Sequence, residues 1–234
     1  GGIGKTTLVQ DIYHNLEVQS HFQVKIWVCV SFSFNVSRLI QQIEKLIPAV
    51  DEESGTAEAR IEQRLKSKRF LLILDDMWEC DDKDEWKRLL VPFRKGQAKG
   101  NIVMVTTRFP VTAEMVKITN PPIELDRLED KEFMHLFEAC VFGDEKPSWE
   151  DHSELLDVGR KIIGKLKGFP LAAKTVGRLL RNNLTLDHWT SVLASKEWEL
   201  QTGVHDIMPA LKLSYVYLPF SLQKCFSYCA LFPE

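Results

Sequence analysis

The sequence has 234 residues, 44% of them apolar, and a formal net charge of −3. That size suits one large domain or two small ones, the apolar fraction is that of a globular protein, and the slight negative charge argues against electrostatic capture of nucleic acid. No apolar run approaches the ~18 residues of a membrane-crossing helix, and no signal peptide is visible.

The chain opens on Gly1-Gly2-Ile3-Gly4-Lys5-Thr6-Thr7. This reads as the second half of a phosphate-binding loop, G-x-x-x-x-G-K-[ST]. Gly2, Ile3 and Gly4 would turn the backbone so that several N–H groups aim at one anion. Lys5 would reach the β- and γ-phosphates, and the Thr6 hydroxyl would hold Mg²⁺. Thr7 is expected to open a helix whose N-terminal end favours the same phosphates, with Leu8, Ile12 and Leu16 on its apolar face. The first glycine of the motif and the strand before it would precede Gly1, so the sequence looks like a fragment cut through its own motif. In phosphate-loop folds that strand is central. Two neighbouring strands are therefore expected to expose unpaired backbone groups, leaving the fragment poorly stable.

Gln23 to Val30 is β-branched and aromatic and predicts a strand. Asn35 caps a helix with Leu39, Ile43, Leu46 and Ile47 on one face, ended by Pro48. A polar loop over Asp51 to Gly55 leads to a helix from about Thr56 to Ser67, whose basic end (Lys66, Lys68, Arg69) reads as solvated. Phe70 to Asp76 is a continuous apolar run closed by two carboxylates, as in a buried parallel strand delivering side chains to a ligand at its C-terminal end. Asp75 would orient Mg²⁺ through its waters, and Asp76 would polarise an attacking water. The acidic cluster Glu79 to Glu85 lacks calcium-loop spacing and reads as the first turn of a helix carrying Trp86 and Leu89. Asn101 to Arg108 predicts another buried strand, and Ile123-Glu124-Leu125 a last short one. Strands alternating with helices indicate an α/β fold with a parallel sheet.

From about Asp126 the pattern is helical. One helix carries Phe133, Leu136, Phe137 and Cys140. A second, capped by Ser148, carries Leu155, Val158, Ile162 and Leu166. Gly168-Phe169-Pro170-Leu171-Ala172 breaks the chain and opens a third, with Pro170 in its first turn. Trp189 and Leu193 begin a fourth, and a last pair spans about Ile207 to Tyr217 and Ser221 to Ala230. Boundaries fall near Asp126 and Gly203, giving domains 1–125, 126–203 and 204–234. The five cysteines are scattered, as in a reduced, cytosolic protein rather than a disulfide framework. Cys225 and Cys229, one turn apart with no second ligand pair, read as small apolar residues on a buried helix face.

These landmarks resemble the NB-ARC domain of plant nucleotide-binding leucine-rich-repeat immune receptors. The resemblance rests on the glycine-rich start, Leu-Leu-Ile-Leu-Asp-Asp-Met-Trp at 71–78, Val-Thr-Thr-Arg at 105–108, Gly-Phe-Pro-Leu-Ala at 168–172 and Cys-Phe-Ser-Tyr-Cys-Ala-Leu-Phe-Pro-Glu at 225–234. Trp78, with Lys-Ile-Trp-Val-Cys-Val-Ser at 25–31, resembles the coiled-coil class. The resemblance implies a P-loop NTPase sheet lacking its first strand, then a helical bundle, then the truncated start of a winged-helix domain. It implies ADP at rest, ATP when active, slow hydrolysis, and a defence role in the cytoplasm. Coiled-coil and leucine-rich-repeat regions of the parent protein would be partners, with self-oligomerisation in the ATP-bound form. Arg108 matches the sensor arginine of the γ-phosphate, and Pro170, with Leu171 beside it, matches the segment against the adenine. Phe169 stands where the family usually has Leu, and the Met-His-Asp motif is absent. The competing readings are a rapidly turning-over P-loop ATPase or kinase, whose acceptor pocket has no candidate sequence, and a scaffold stabilised by nucleotide.

Overall fold

The computed structural model describes residues 1–30, 34–78, 80, 82–94, 98–118, 121–143, 149–200 and 207–232. They group into an α/β unit, Lys5–Glu124, and a helical unit formed by Gly1–Gly4 with Leu125–Glu234. The proposed cap Ser148, the boundary near Gly203, the acidic residues Glu79 and Asp81, and Pro233-Glu234 lie outside the described residues.

In the α/β unit, helix α1 (Lys5–His14) already begins at Lys5 rather than at Thr7. It stops before Asn15, whose side chain accepts hydrogen bonds from the Glu17 and Val18 N–H groups and starts α2 (Leu16–His21). That break overturns the predicted stripe. Leu8 and Leu16 are 44% and 83% exposed, and the inward face is instead Val9 and Tyr13. Strand β1 (Val24–Cys29) follows. Asn35 then accepts the Arg38 N–H at 2.9 Å and caps α3 (Val36–Leu46). The buried stripe of α3 is Val36, Leu39, Ile40 and Ile43, with Ile47 just beyond, and Leu46 faces outward. Thr56 caps α4 (Ala57–Leu65), which leads into β2 (Phe70–Met77). Asp82 caps α5 (Lys83–Leu90), whose first turn carries Asp84 and Glu85. Strand β3 (Ile102–Thr107) and α6 (Pro110–Val116), with proline in its first turn, complete the unit.

The strands form one parallel sheet in the order β1-β2-β3. Because successive side chains alternate between faces, Phe70, Leu72 and Leu74 enter a core with α3, α4 and α5, while Leu71 and Ile73 pack against Val9 and Phe22 on the other side. Both faces are covered, which is why β2 reads as an unbroken apolar run. β2 and β3 are hydrogen-bonded directly, with Leu71 opposite Ile102. The expected unpaired backbone between two strands is therefore not found here. β3 is less buried than expected: it lies at the sheet edge, with Ile102 exposed and Thr106 buried. No strand forms at Ile123-Glu124-Leu125. The residues after Pro121-Pro122 lack regular structure and Ile123 is 89% exposed, since two prolines remove the donors a ladder needs.

The described part of the helical unit contains no strand. Its helices are α7 (Asp130–Phe142), α8 (Leu156–Leu166), α9 (Pro170–Arg181), α10 (Leu186–Leu193), α11 (Met208–Val216) and α12 (Phe220–Cys229). A short 3-10 turn, Ser153–Leu155, leads into α8. One core joins Phe133 and Phe137 of α7, Ile162 of α8, Val176 and Leu180 of α9, and Trp189 of α10. α12 has no buried residue. Cys225 and Cys229 are therefore exposed thiols rather than residues of a buried face, although Phe226 of the same helix meets Tyr215 of α11. Among the described residues no helix is long and apolar enough to cross a membrane.

Candidate functional site

The acidic pair sits where β2 loses its regular pairing with β3, between Leu74 and Met77. Asp76 takes the left-handed backbone conformation, φ +51°. Such an irregularity re-aims side chains, so the two neighbouring carboxylates serve different partners. Asp75 is buried. Its Oδ1 accepts from the Thr6 hydroxyl at 3.0 Å and from the Thr106 hydroxyl at 2.6 Å. Thr106 Oγ1 in turn accepts the Asp76 N–H at 2.9 Å. One hydroxyl thus donates to one aspartate and anchors the main chain of the next, which satisfies buried groups that would otherwise be costly.

Asp76 faces Arg108. The Arg108 Nε donates to Oδ1 at 3.2 Å and Nη2 to Oδ2 at 3.0 Å, a forked pair. The Trp78 indole N–H also donates to Oδ2, at 3.3 Å, and the guanidinium lies 4.3 Å from the Trp78 ring centre. Arg108 holds the Asp76 carboxyl below the usual aspartate range, against partial burial. Lys5 stands at the start of α1 and forms no ion pair among the described residues. Burial pushes its ammonium down; Asp76 counters this, Arg108 adds to it, and Asp75 counters it more weakly. A partly desolvated cation without a bonded anion is suited to receive one.

Lys5, Thr6, Asp75, Asp76 and Arg108 are thus brought together within the α/β unit, while Thr7 is exposed on the first turn of α1. Gly2, Ile3, Gly4, Pro170 and Leu171 belong to the helical unit. There the Leu171 N–H donates to the Gly2 carbonyl at 3.1 Å, Ile3 packs on the helical core, and Pro170 opens α9. Gly2 and Gly4 have φ of +75° and +100°. The backbone angle calls for glycine at Gly2, where an added Cβ would also displace the tip of Ile207, 2.6 Å away. Sequence reasoning passed over Thr106 and gave Trp78 no role. The signal for Thr106 was its place two residues before Arg108 in Val-Thr-Thr-Arg.

The Thr6 hydroxyl and Asp75 carboxylate are hard oxygen donors 3.0 Å apart. Among the described residues no group of three or more His, Cys, Asp or Glu could hold a metal. This donor set fits Mg²⁺, which takes one or two protein oxygens and fills its shell with water and phosphate.

A family model described as the NB-ARC domain matches residues 1–146. Disease resistance protein RGA2 of Solanum bulbocastanum is 37% identical over 238 residues, covering all of this chain and 24% of the relative. In Arabidopsis thaliana, disease resistance RPP13-like protein 4 and disease resistance RPP8-like protein 3 are each 31% identical across the whole chain, which covers 28% and 26% of them. The chain therefore spans about a quarter of the length of these relatives.

Proposed function

Because this chain belongs to the NB-ARC domain family, we propose that it is the nucleotide-operated switch of a plant intracellular immune receptor, holding ADP at rest and ATP when active and hydrolysing ATP slowly. In this reading Gly2, Ile3 and Gly4 present backbone N–H groups to the phosphates, Lys5 adds charge, and Thr7 belongs to the helix start behind them. Thr6 and Asp75 are the protein's oxygens toward Mg²⁺, which when bound neutralises phosphate charge. Arg108 senses the γ-phosphate. Pro170 and Leu171 meet the adenine, an assignment that rests on the sequence resemblance alone. The parent protein would act in the cytoplasm, with coiled-coil and leucine-rich-repeat regions as intramolecular partners and self-association in the ATP-bound form.

The observation that carries the reading is the division of labour between the two aspartates: Asp75 is tied to Thr6, and Asp76 is tied to Arg108. The same pair supports slow hydrolysis. Arg108 occupies both oxygens of the Asp76 carboxylate, so the candidate base must loosen that pair before it can take a proton from water.

The test is a pair of charge-removing, nearly isosteric variants in the full-length protein. Asp75→Asn is expected to weaken Mg²⁺-dependent nucleotide binding. Asp76→Asn is expected to leave binding largely intact and to slow single-turnover ATP cleavage by roughly a hundredfold, the low end for a general base. Wild-type cleavage by Asp76→Asn would remove the base assignment, and exchanged phenotypes would exchange the roles.

A further inference from the structure

We propose that Trp78 is a positioning residue for the Asp76–Arg108 pair: its indole N–H fixes one carboxylate oxygen while its ring face seats the guanidinium. The inference rests on the reading of Asp76 as the water-activating base and Arg108 as the γ-phosphate sensor.

The Arg108 and Asp76 side chains are 39% and 45% exposed. An ion pair so exposed is weak and leaves two side chains free to sample other geometries. Trp78 closes the arrangement into a triangle. It donates to Asp76 Oδ2 at 3.3 Å, the oxygen that also receives Arg108 Nη2 at 3.0 Å. Its ring centre lies 4.3 Å from Arg108 Cζ, within cation–π range.

Trp78 is itself held from outside the triangle. Its carbonyl accepts the hydroxyl of buried Thr112 on α6 at 3.0 Å, and its ring meets Phe109 at 5.8 Å between centres. The ring is only half-buried and, among the described residues, is not part of the hydrophobic cores. Here the polar edge meets the candidate base and the π face meets the candidate sensor.

Two variants separate the functions in the full-length protein. Trp78→Phe keeps a ring for Arg108 but offers Asp76 no N–H, and Trp78→Leu removes both. ADP affinity, the affinity ratio of a non-hydrolysable ATP analogue to ADP, and single-turnover cleavage are measured together. Both variants should bind ADP within about twofold of wild type, because Lys5 and Thr6 are untouched. Trp78→Phe should cleave ATP about tenfold more slowly, the scale of a hydrogen bond to a charged group, with the affinity ratio kept. Trp78→Leu should show the same slowing and also lose about two- to fivefold in the ratio, as an exposed cation–π contact would. Wild-type cleavage by Trp78→Phe overturns the proposal. So does a parallel fall of ADP affinity and thermal stability in both variants, which is the mark of a packing role. Wild-type protein that binds no nucleotide defeats the nucleotide-site reading and this proposal together, and is distinguishable because the variants are then irrelevant to it.

Discussion

Asp76 holds a left-handed backbone conformation, φ +51°, that costs most residues of order 1 kcal/mol or more. Aspartate tolerates it better than a β-branched residue would, and the Thr106 hydroxyl anchors its N–H. The outcome is chemical: one carboxylate faces the Thr6 hydroxyl, and its neighbour faces a guanidinium. Lys5 stands beside both with no ion pair among the described residues, its ammonium already pushed down by burial. Lys5→Ala is expected to weaken ADP binding about tenfold or more, since a hydrogen bond to a charged group contributes about 1.5–3 kcal/mol. Calorimetry on the full-length protein checks this, and unchanged affinity would remove the phosphate-loop assignment. The nearness of Lys5 and Thr6 to the acidic pair was legible in sequence, because a helix opening after glycines and carboxylates at a strand end are what a parallel sheet brings to one edge. Thr106 was not, because a threonine in a strand is unremarkable until the fold sets it beside Asp75.

Elements show where sequence patterning is sufficient and where it fails. β2 was readable because a strand covered on both faces must be apolar throughout. The Leu8, Ile12, Leu16 stripe misled because Asn15 ends one helix and caps the next, so a single 3.6-residue period does not run through the segment. Ile123-Glu124-Leu125 misled because two apolar residues flanking a glutamate make a strand only where an edge is available, and Pro121-Pro122 weaken the pairing. The burial of Arg64 on α4 was invisible as well. It pairs with Glu44 and Glu53 and donates to the Ile47 carbonyl at 2.9 Å, tying the 51–55 loop and the end of α3 to α4. Arg60 holds the Glu44 carboxyl below the usual glutamate range, and Arg64 does the same for Glu53. A lowered folded-state pKa stabilises the fold above the ordinary glutamate value, and that contribution is lost as pH falls through the lowered one. Arg64→Met should therefore lower stability at neutral pH and flatten acid unfolding below the glutamate range. A denaturation series against pH on both proteins checks both effects, and an acid limb as steep in the variant as in wild type would contradict the pairing. In the helical unit, a Cβ on Gly177 of α9 would lie 2.6 Å from Cys140 Cβ of α7. Gly177→Ala should cost about 1–3 kcal/mol by overpacking, and an unchanged calorimetric transition would show that the two helices are free to separate.

At the scale of the whole molecule, the chain couples a sheet-based unit carrying the acidic pair to a helical unit that contains its own glycine-rich start. The α/β unit ends at Glu124 and the helical unit resumes at Leu125. The inclusion of Gly1–Gly4 in the helical unit was not readable in the sequence, because it depends on the Gly2 carbonyl meeting the Leu171 N–H. The proposed switch requires a ligand that binds its two states unequally, and ADP and ATP differ only at the γ-phosphate. The most direct measurement is limited proteolysis of the full-length protein with Mg²⁺ and either ADP or a non-hydrolysable ATP analogue, for wild type and Lys5→Ala. The account predicts two distinct cleavage patterns for wild type and a single, nucleotide-independent pattern for Lys5→Ala. Wild-type protein that binds both nucleotides yet gives one pattern with each would contradict it.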